Sequence, residues 1–260
     1  MKNPSYLASV IFVSLMCIGL SSAQASKSIS DPRAVTFAAQ SIAAITGKIN
    51  VSDVTLTGNV VWRGKEPGNF KLSALGAGES RIDLFLSSGT MTEIRDAQTG
   101  PPKGKWSTPD NRTGDLSAHN CFTDSAWFFP ALSSLSAASN VVLVYAGEET
   151  RRGVLVRHIH SYVYQLGSTI PDKVQKLSAM DFYLDATTLL PVFITFDAHS
   201  DKDININLPI EVQFSGYELI HGIEVPTRIR RYQQGNLLLD FFVTGASFNS
   251  GLTMSLFAIN

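Results

Sequence analysis

From Val54 onward, apolar and polar residues take turns along the chain. Val54, Leu56, Val60 and Trp62 fall on one side of an extended segment and Thr55, Thr57 and Asn59 on the other, the period-two signature of a half-buried antiparallel strand. The alternation returns at Ile82, Leu84 and Leu86 against Arg81 and Asp83. It is cleanest at Leu208, Ile210, Val212 and Phe214 against Pro209, Glu211, Gln213 and Ser215. Gly64 to Gly78 is turn-rich around a short FKLSAL strand, and Ser88-Gly89 predicts a hairpin into TMTEIRDA. Beyond residue 139 nearly everything reads as strand: NVVLVYAG, RRGVLVRHIHSYVYQ, SAMDFYLD, LLPVFITFD, NLPIEVQFSGYELI, VPTRIRRY and LLLDFFVTGASF.

Two segments break this rhythm. Asp31-Pro32 has the form of a helix N-cap followed by proline at the first helical position, Val35, Ala38, Ala39, Ile42 and Ile45 recur at helical spacing, and Gly47 closes the segment. In DSAWFFPALSSLSAASN, Asp124 predicts the cap of a second helix containing Trp127, Phe128, Leu132 and Leu135, with Pro130 early in it or at a kink. Between the two, QTGPPKGKWSTPDNRTGDL is dense in proline, glycine and small polar residues and predicts a long surface loop. No linker or composition shift divides the series. A few helical features among many antiparallel strands predict one α+β domain built on a large curved sheet.

The first residues change the picture of where this domain works. Lys2 precedes the uncharged, mostly apolar run Leu7 to Leu20 and then SSAQAS, the form of a secretory signal peptide over residues 1–25 with cleavage after Ala25 or Ala23. That run is shorter than the roughly 20 residues a spanning helix requires. Cys17 follows Leu15-Met16 rather than small residues, which argues against a lipid anchor. The expected mature chain, 26–260, is one domain that does not span a membrane, placed in the periplasm of a two-membrane bacterium. Removing the leader leaves Cys121 without a cysteine partner, and a chain of this length holds a core without a disulfide. Of 21 basic and 22 acidic residues in the whole chain, none form a long run of one sign, so electrostatic attraction to nucleic acid or anionic lipid is not expected.

Candidate chemistry is sparse. His158 and His160 project from one strand face and could share a metal ion, or be buried and hydrogen-bonded beside Val154, Val156, Tyr162 and Tyr164; the spacing marks no third ligand. There is no G-x-S-x-G elbow and no phosphate-binding glycine loop. Glu148-Glu149 beside Thr150-Arg151-Arg152 reads as a solvated hairpin turn. No catalytic residue and no cofactor is expected.

The last third carries a resemblance. FYLDATTLLPVFITF, then VQFSGYELIHGIEVPTRIRRYQQGN, then a final apolar strand ending in Phe248 resemble the closing half of the LolA/LolB/LppX-like superfamily of periplasmic lipoprotein carriers. The matching positions are Asp185, Leu190-Pro191, Tyr217, Gly222 with Pro226, and Gly235. VTLTGNVVWRG and ESRIDLFLSSGTMTEIRD are similar to the early strands of that group. The resemblance implies an unclosed β-barrel, a half-barrel, with helices lidding an apolar hollow on its concave face that accepts the acyl chain of a lipid or lipoprotein. At about 0.8 kcal/mol per methylene, a sixteen-carbon chain would gain roughly a dozen kcal/mol there before the cost of opening. Candidate lining residues are Leu56, Val60, Trp62, Leu84, Leu86, Trp127, Phe128 and Leu132, with ordinary core packing as the alternative for each. The superfamily's carrier has an Arg-Pro early in the sheet whose arginine holds the lid. This chain has Glu66-Pro67, and Arg63 and Arg81 are the candidate substitutes. RseB-like relatives imply a second possibility, a filled half-barrel that binds an envelope protein.

Overall fold

The computed structural model describes residues 30–76, 78–96, 102–136, 140–165 and 168–259. The predicted leader and its cleavage site lie outside them. One sheet of thirteen antiparallel strands organises the chain. Its first arm is β1 (Asp53–Trp62), β2 (Glu66–Leu75), β3 (Glu79–Leu86), β4 (Gly89–Asp96), β5 (Lys103–Ser107) and β6 (Thr113–Leu116). The second is β7 (Val141–Arg151), β8 (Val154–Val163), β9 (Met180–Asp185), β10 (Pro191–Ser200), β11 (Asp203–Ile220), β12 (Ile223–Gln233) and β13 (Asn236–Phe248). Each arm is a meander, and β1 pairs with β13 to join them, so the order runs β6 to β1, then β13 to β7. The two ends, β6 and β7, do not pair with each other, and the barrel stays open.

Tight turns make the meander possible. Arg63-Gly64, Arg152-Gly153, His221-Gly222 and Gln234-Gly235 each put two successive residues at positive φ, the geometry whose twist matches a two-residue hairpin. Glycine in second place relieves the steric penalty there. The residues behind the family resemblance are therefore scaffold: the Tyr217 hydroxyl donates to the Pro191 carbonyl at 2.7 Å, tying the Leu-Pro strand to its neighbour. The Asp185 carboxylate accepts from the backbone N–H groups of Thr187 and Thr188 in the preceding turn.

Helix α1 (Pro32–Thr46) forms where the cap signals predict, with Asp31 accepting from the Arg33 N–H at 2.8 Å and Gly47 at φ 59° ending it. Its buried stripe differs from the predicted one. Ala34, Ala38, Ser41 and Ile45 face inward, while Val35 is 40 % exposed. Small residues let the helix lie close to β7, β12 and the segment after residue 130, and Val35 would hold it off. A second helix, α2 (Pro171–Ser178), was not signalled by the alternation. It joins β8 to β9 and is anchored by the Ser178 hydroxyl, which accepts from the Val163 N–H.

The predicted long loop around residues 98–116 is corrected in part: Lys103–Ser107 and Thr113–Leu116 form a hairpin that extends the sheet. Its glycines serve close packing inside strands as well as turns. A Cβ on Gly114 would come within 2.7 Å of the Trp106 ring, and one on Gly104 within 2.5 Å of Leu116.

Candidate functional site

Because β6 and β7 lie at opposite ends of the sheet, the chain between them must travel the full width of the molecule. Residues 117–136 do so across the concave face. The path is set by non-local contacts: Trp127 packs on Phe241, Phe129 on Phe248, and the Asp124 N–H points at the Met180 sulfur. The second predicted helix does not form. In its place are 3-10 turns at Pro130–Leu132 and Ser134–Ser136. Trp127, Phe128 and Phe129 are all fully buried. Successive helical residues are about 100° apart, so three in a row cannot share one buried face of a surface helix. An irregular strand of chain, surrounded on both sides, can bury all three.

The predicted lining residues come together in this cluster. Leu56, Val60, Leu84 and Leu86 project from the sheet, Trp127, Phe128 and Leu132 come down from the crossing segment, and Trp62 packs at the edge, partly buried. Cross-strand register explains the convergence. Val60 stands opposite Phe241, Leu56 opposite Leu72 and Ala246, and Leu84 opposite Phe70. Phe70 in turn meets Phe241 edge-on with ring centroids 4.7 Å apart. In this state the concave face is filled by the chain's own side chains.

Polar groups pin the segment at its ends. The Asp124 carboxylate accepts from the Ser134 N–H at 2.7 Å, closing the loop of aromatic residues on itself, and burial pushes its pKa above the usual carboxylate range. Arg95 donates to the Asn120 carbonyl at 3.0 Å and to the Thr123 hydroxyl at 3.3 Å. The guanidinium of Arg231 lies over the Trp127 ring at 4.9 Å. Arg63 and Arg81, the arginines favoured from sequence, act elsewhere. Arg63 lies over Trp62, and Arg81 binds Asp83 and the Leu256 carbonyl. Arg95 and Arg231 were missed because their neighbours, TMTEIRDA and VPTRIRR, read as solvated strand faces. Alternation does mark them as inward-pointing, Arg95 in line with Glu93 and Arg231 in line with Ile229.

Glu93 sits between these two cations. Burial pushes its pKa up, but Arg95, bonded at 2.8 Å, and the nearby Arg231 outweigh that and hold it below the usual value. Burial pulls Arg231 down to about 10. Trp127 Nε1 and Arg231 Nε are buried with no hydrogen-bond partner among the described residues. Cys121, at the start of the crossing, is buried and its thiol pKa is raised by that burial.

His158 and His160 lie on the opposite, outer face. Both donate to one oxygen, Asp181 Oδ1, at 2.7 and 2.9 Å, and His158 stacks on Tyr183. Burial alone would raise the Asp181 pKa, but the two imidazoles hold it well below the carboxylate range. Its hydrogen bond to Asp181 raises the pKa of His160 despite partial burial. Among the described residues no group of three or more His, Cys, Asp or Glu side chains is placed to hold a metal ion.

The open single sheet with its crossing segment and N-terminal helix is similar in fold to several solved structures. A LolA superfamily protein from Nitrosomonas europaea superposes with TM-score 0.52 at 11 % identity, covering 87 % of this chain and 97 % of that one. A DUF1329 family protein from Desulfovibrio piger gives 0.54 at 14 %, covering 87 % and 96 %. A Vibrio parahaemolyticus domain of the outer membrane lipoprotein-sorting kind gives 0.52 at 12 %, covering 86 % and 96 %. At these identities the likeness is one of fold. No protein-family model matches the chain, and no curated protein does.

Proposed function

We propose that this protein is a non-enzymatic binding protein of the bacterial envelope that carries a lipid, or the acyl chain of a lipoprotein, on its concave face. The crossing segment occupies that place and leaves it when the ligand enters. The observation that supports this is the crossing segment itself: aromatic side chains fill the half-barrel from a stretch with no regular helix. Its side-chain hydrogen bonds to the rest of the molecule are concentrated in residues 117–125, ahead of the aromatic cluster, and Trp127 Nε1 has no partner among the described residues.

Magnitudes favour an exchange. Withdrawing Trp127, Phe128, Phe129, Leu132 and Leu135 would expose five buried side chains at about 1.5–3 kcal/mol each. A sixteen-carbon chain returns roughly a dozen kcal/mol, so the two occupants are nearly balanced and a short chain would not displace the segment. The leader read over residues 1–25 and the fold of the LolA superfamily support a periplasmic place of work.

The test is native mass spectrometry of protein extracted gently from the cells that make it, followed by binding of a neutral hydrophobic dye after delipidation. Mass corresponding to a bound acyl lipid is expected. Protein free of lipid that also fails to bind the dye would end the carrier reading.

The fully packed concave face supports a second reading, a structural or sensory module that engages an envelope protein through its unpaired edges β6 and β7. Recovery of one stoichiometric protein partner, with no lipid, would favour it.

A further inference from the structure

Beside the crossing segment is a second feature that core packing does not explain. A pocket of about 580 Å³ is lined by Glu93, Arg95, Asn120, Thr123 and Arg231 together with Leu116, Ala198, Leu208 and Ile206. Its polar wall is made of inward-facing side chains of β4 and β12 and the start of the crossing segment. Its other wall mixes the apolar Ala198, Leu208 and half-exposed Ile206 with the polar His199, Ser200, Asp201 and Lys202. Two guanidiniums flank the Glu93 carboxylate here, while the second carboxylate of the lining, Asp201, accepts from the Ser117 hydroxyl on the opposite wall beside Lys202. Arg95 is committed to Glu93 at 2.8 Å and to Asn120 and Thr123. Arg231 is only 8 % exposed, makes no ion pair or hydrogen bond among the described residues, and has a buried Nε without an acceptor.

A buried cation of this kind is unfavourable unless something pairs with it. Its planar fork of donors suits a carboxylate or a phosphate. The other side of the same guanidinium rests on Trp127, the residue whose withdrawal would open the concave face. An anion at Arg231 is therefore placed at the entrance to the space an alkyl chain would occupy, with Leu116, Ala198 and Leu208 along the approach.

We infer that this pocket is the head-group site for an anionic amphiphile, in which Arg231 binds a carboxylate or phosphate while the attached alkyl chain runs beneath the crossing segment. The inference rests on the carrier reading above and narrows it from any acyl lipid to one with an acidic head. Arg95 and Glu93 are positioning residues: Arg95 neutralises Glu93, which leaves the positive charge of Arg231 for the ligand.

The experiment is equilibrium dialysis of delipidated full-length protein against radiolabelled palmitate, hexadecanol and acetate, each below its aggregation limit. Palmitate is expected to bind about tenfold more tightly than hexadecanol, as one charge-assisted contact in a buried site implies. Arg231→Met should abolish that preference while leaving hexadecanol binding in place, because methionine keeps an apolar stem against Trp127. Arg231→Lys should keep most of it, which a purely structural role for the guanidinium would not predict. Equal binding of palmitate and hexadecanol in the wild type overturns the head-group site and leaves the carrier reading standing. Acetate binding as tightly as palmitate, with loss in Arg231→Met, assigns the site to a free anion and overturns the amphiphile. Failure of all three to bind overturns both the carrier reading and the site.

Discussion

The two faces of the same strands are held by different physics. On the concave side a row across the sheet runs Ala246, Leu56, Leu72, Ile82, all apolar until it reaches Glu93. On the outer side the row across β8 to β12 runs His160, Asp181, Thr195, Glu211, Tyr232, and nearly every member has a specific partner. Asp181 takes both imidazoles, and Glu211 takes Arg151 at 2.7 Å and Arg152 at 2.8 Å. Arg151 also lies over the Tyr183 ring at 4.3 Å. Apolar burial has no direction, so what fills the concave face can be exchanged for something of like volume and chemistry. Charge-assisted hydrogen bonds are directional, so the outer row fixes register, and the hollow of about 550 Å³ beside it is walled by side chains already paired with one another, such as Arg151 with Glu211.

The sharpest way to break this contrast is Trp127→Ala. Truncating a fully buried tryptophan at the centre of the crossing segment should lower stability by about 3–5 kcal/mol, read from the urea midpoint. In the same variant, with Cys17 replaced by serine, Cys121 should react with a thiol reagent well before global unfolding, because the segment that covers it is loosened. Wild-type rates of labelling in the variant would mean that the segment does not move independently of the sheet.

Asp181→Asn tests the outer row and should cost less, on the order of 1 kcal/mol, since these groups are partly exposed and screened. Its pH dependence is the more telling readout. The His160 pKa is raised above 6.5 in the folded protein, so its contribution is fully present below 6.5 and fades as pH rises through the folded value. Asp181 is lowered from 3.8, so its contribution is present above 3.8 and fades only as pH falls through the lower folded value. The stability gap between wild type and Asp181→Asn should therefore be widest between about pH 4 and 6.5 and narrow toward pH 8, followed by thermal unfolding across that range. A gap independent of pH would remove the histidine pair from the account.

The smallest effect is expected at Glu148→Gln. It removes a pair with Arg157 at 3.2 Å in which the carboxylate is half exposed, and the change should stay below about 0.5 kcal/mol. A larger loss would mean that the face covered by α1, where Arg157 lies over Phe37, depends on its polar rim as well as on apolar burial.

Much of the fold could be read directly from the chain. The strands, the N-terminal helix with its Asp31 cap and Gly47 stop, and the X-Gly hairpins are local features, set by residues within a few positions of one another. That Leu56, Val60, Leu84 and Leu86 share the buried side of the sheet was also legible, since alternation tells which side chains share a face. The hairpin at β5 and β6 did not, because KGKWS and TGDL have loop composition and become strands only when their glycines allow β4 and Trp106 to come close. The second predicted helix failed for a related reason: capping and spacing at Asp124 are favourable locally, but consecutive aromatic residues found burial on all sides.

Sequence alone determined the period-two strands, the turns between them and the apolar character of one sheet face, because each depends on neighbours along the chain. Tertiary structure decided what occupies that face, which arginines guard it, and that two histidines spend their hydrogen bonds on one aspartate. Those outcomes depend on residues far apart in sequence, such as Trp127 with Arg231 and Phe241, or His158 with Asp181. No local pattern records the route by which residues 117–136 cross from one edge of an open sheet to the other.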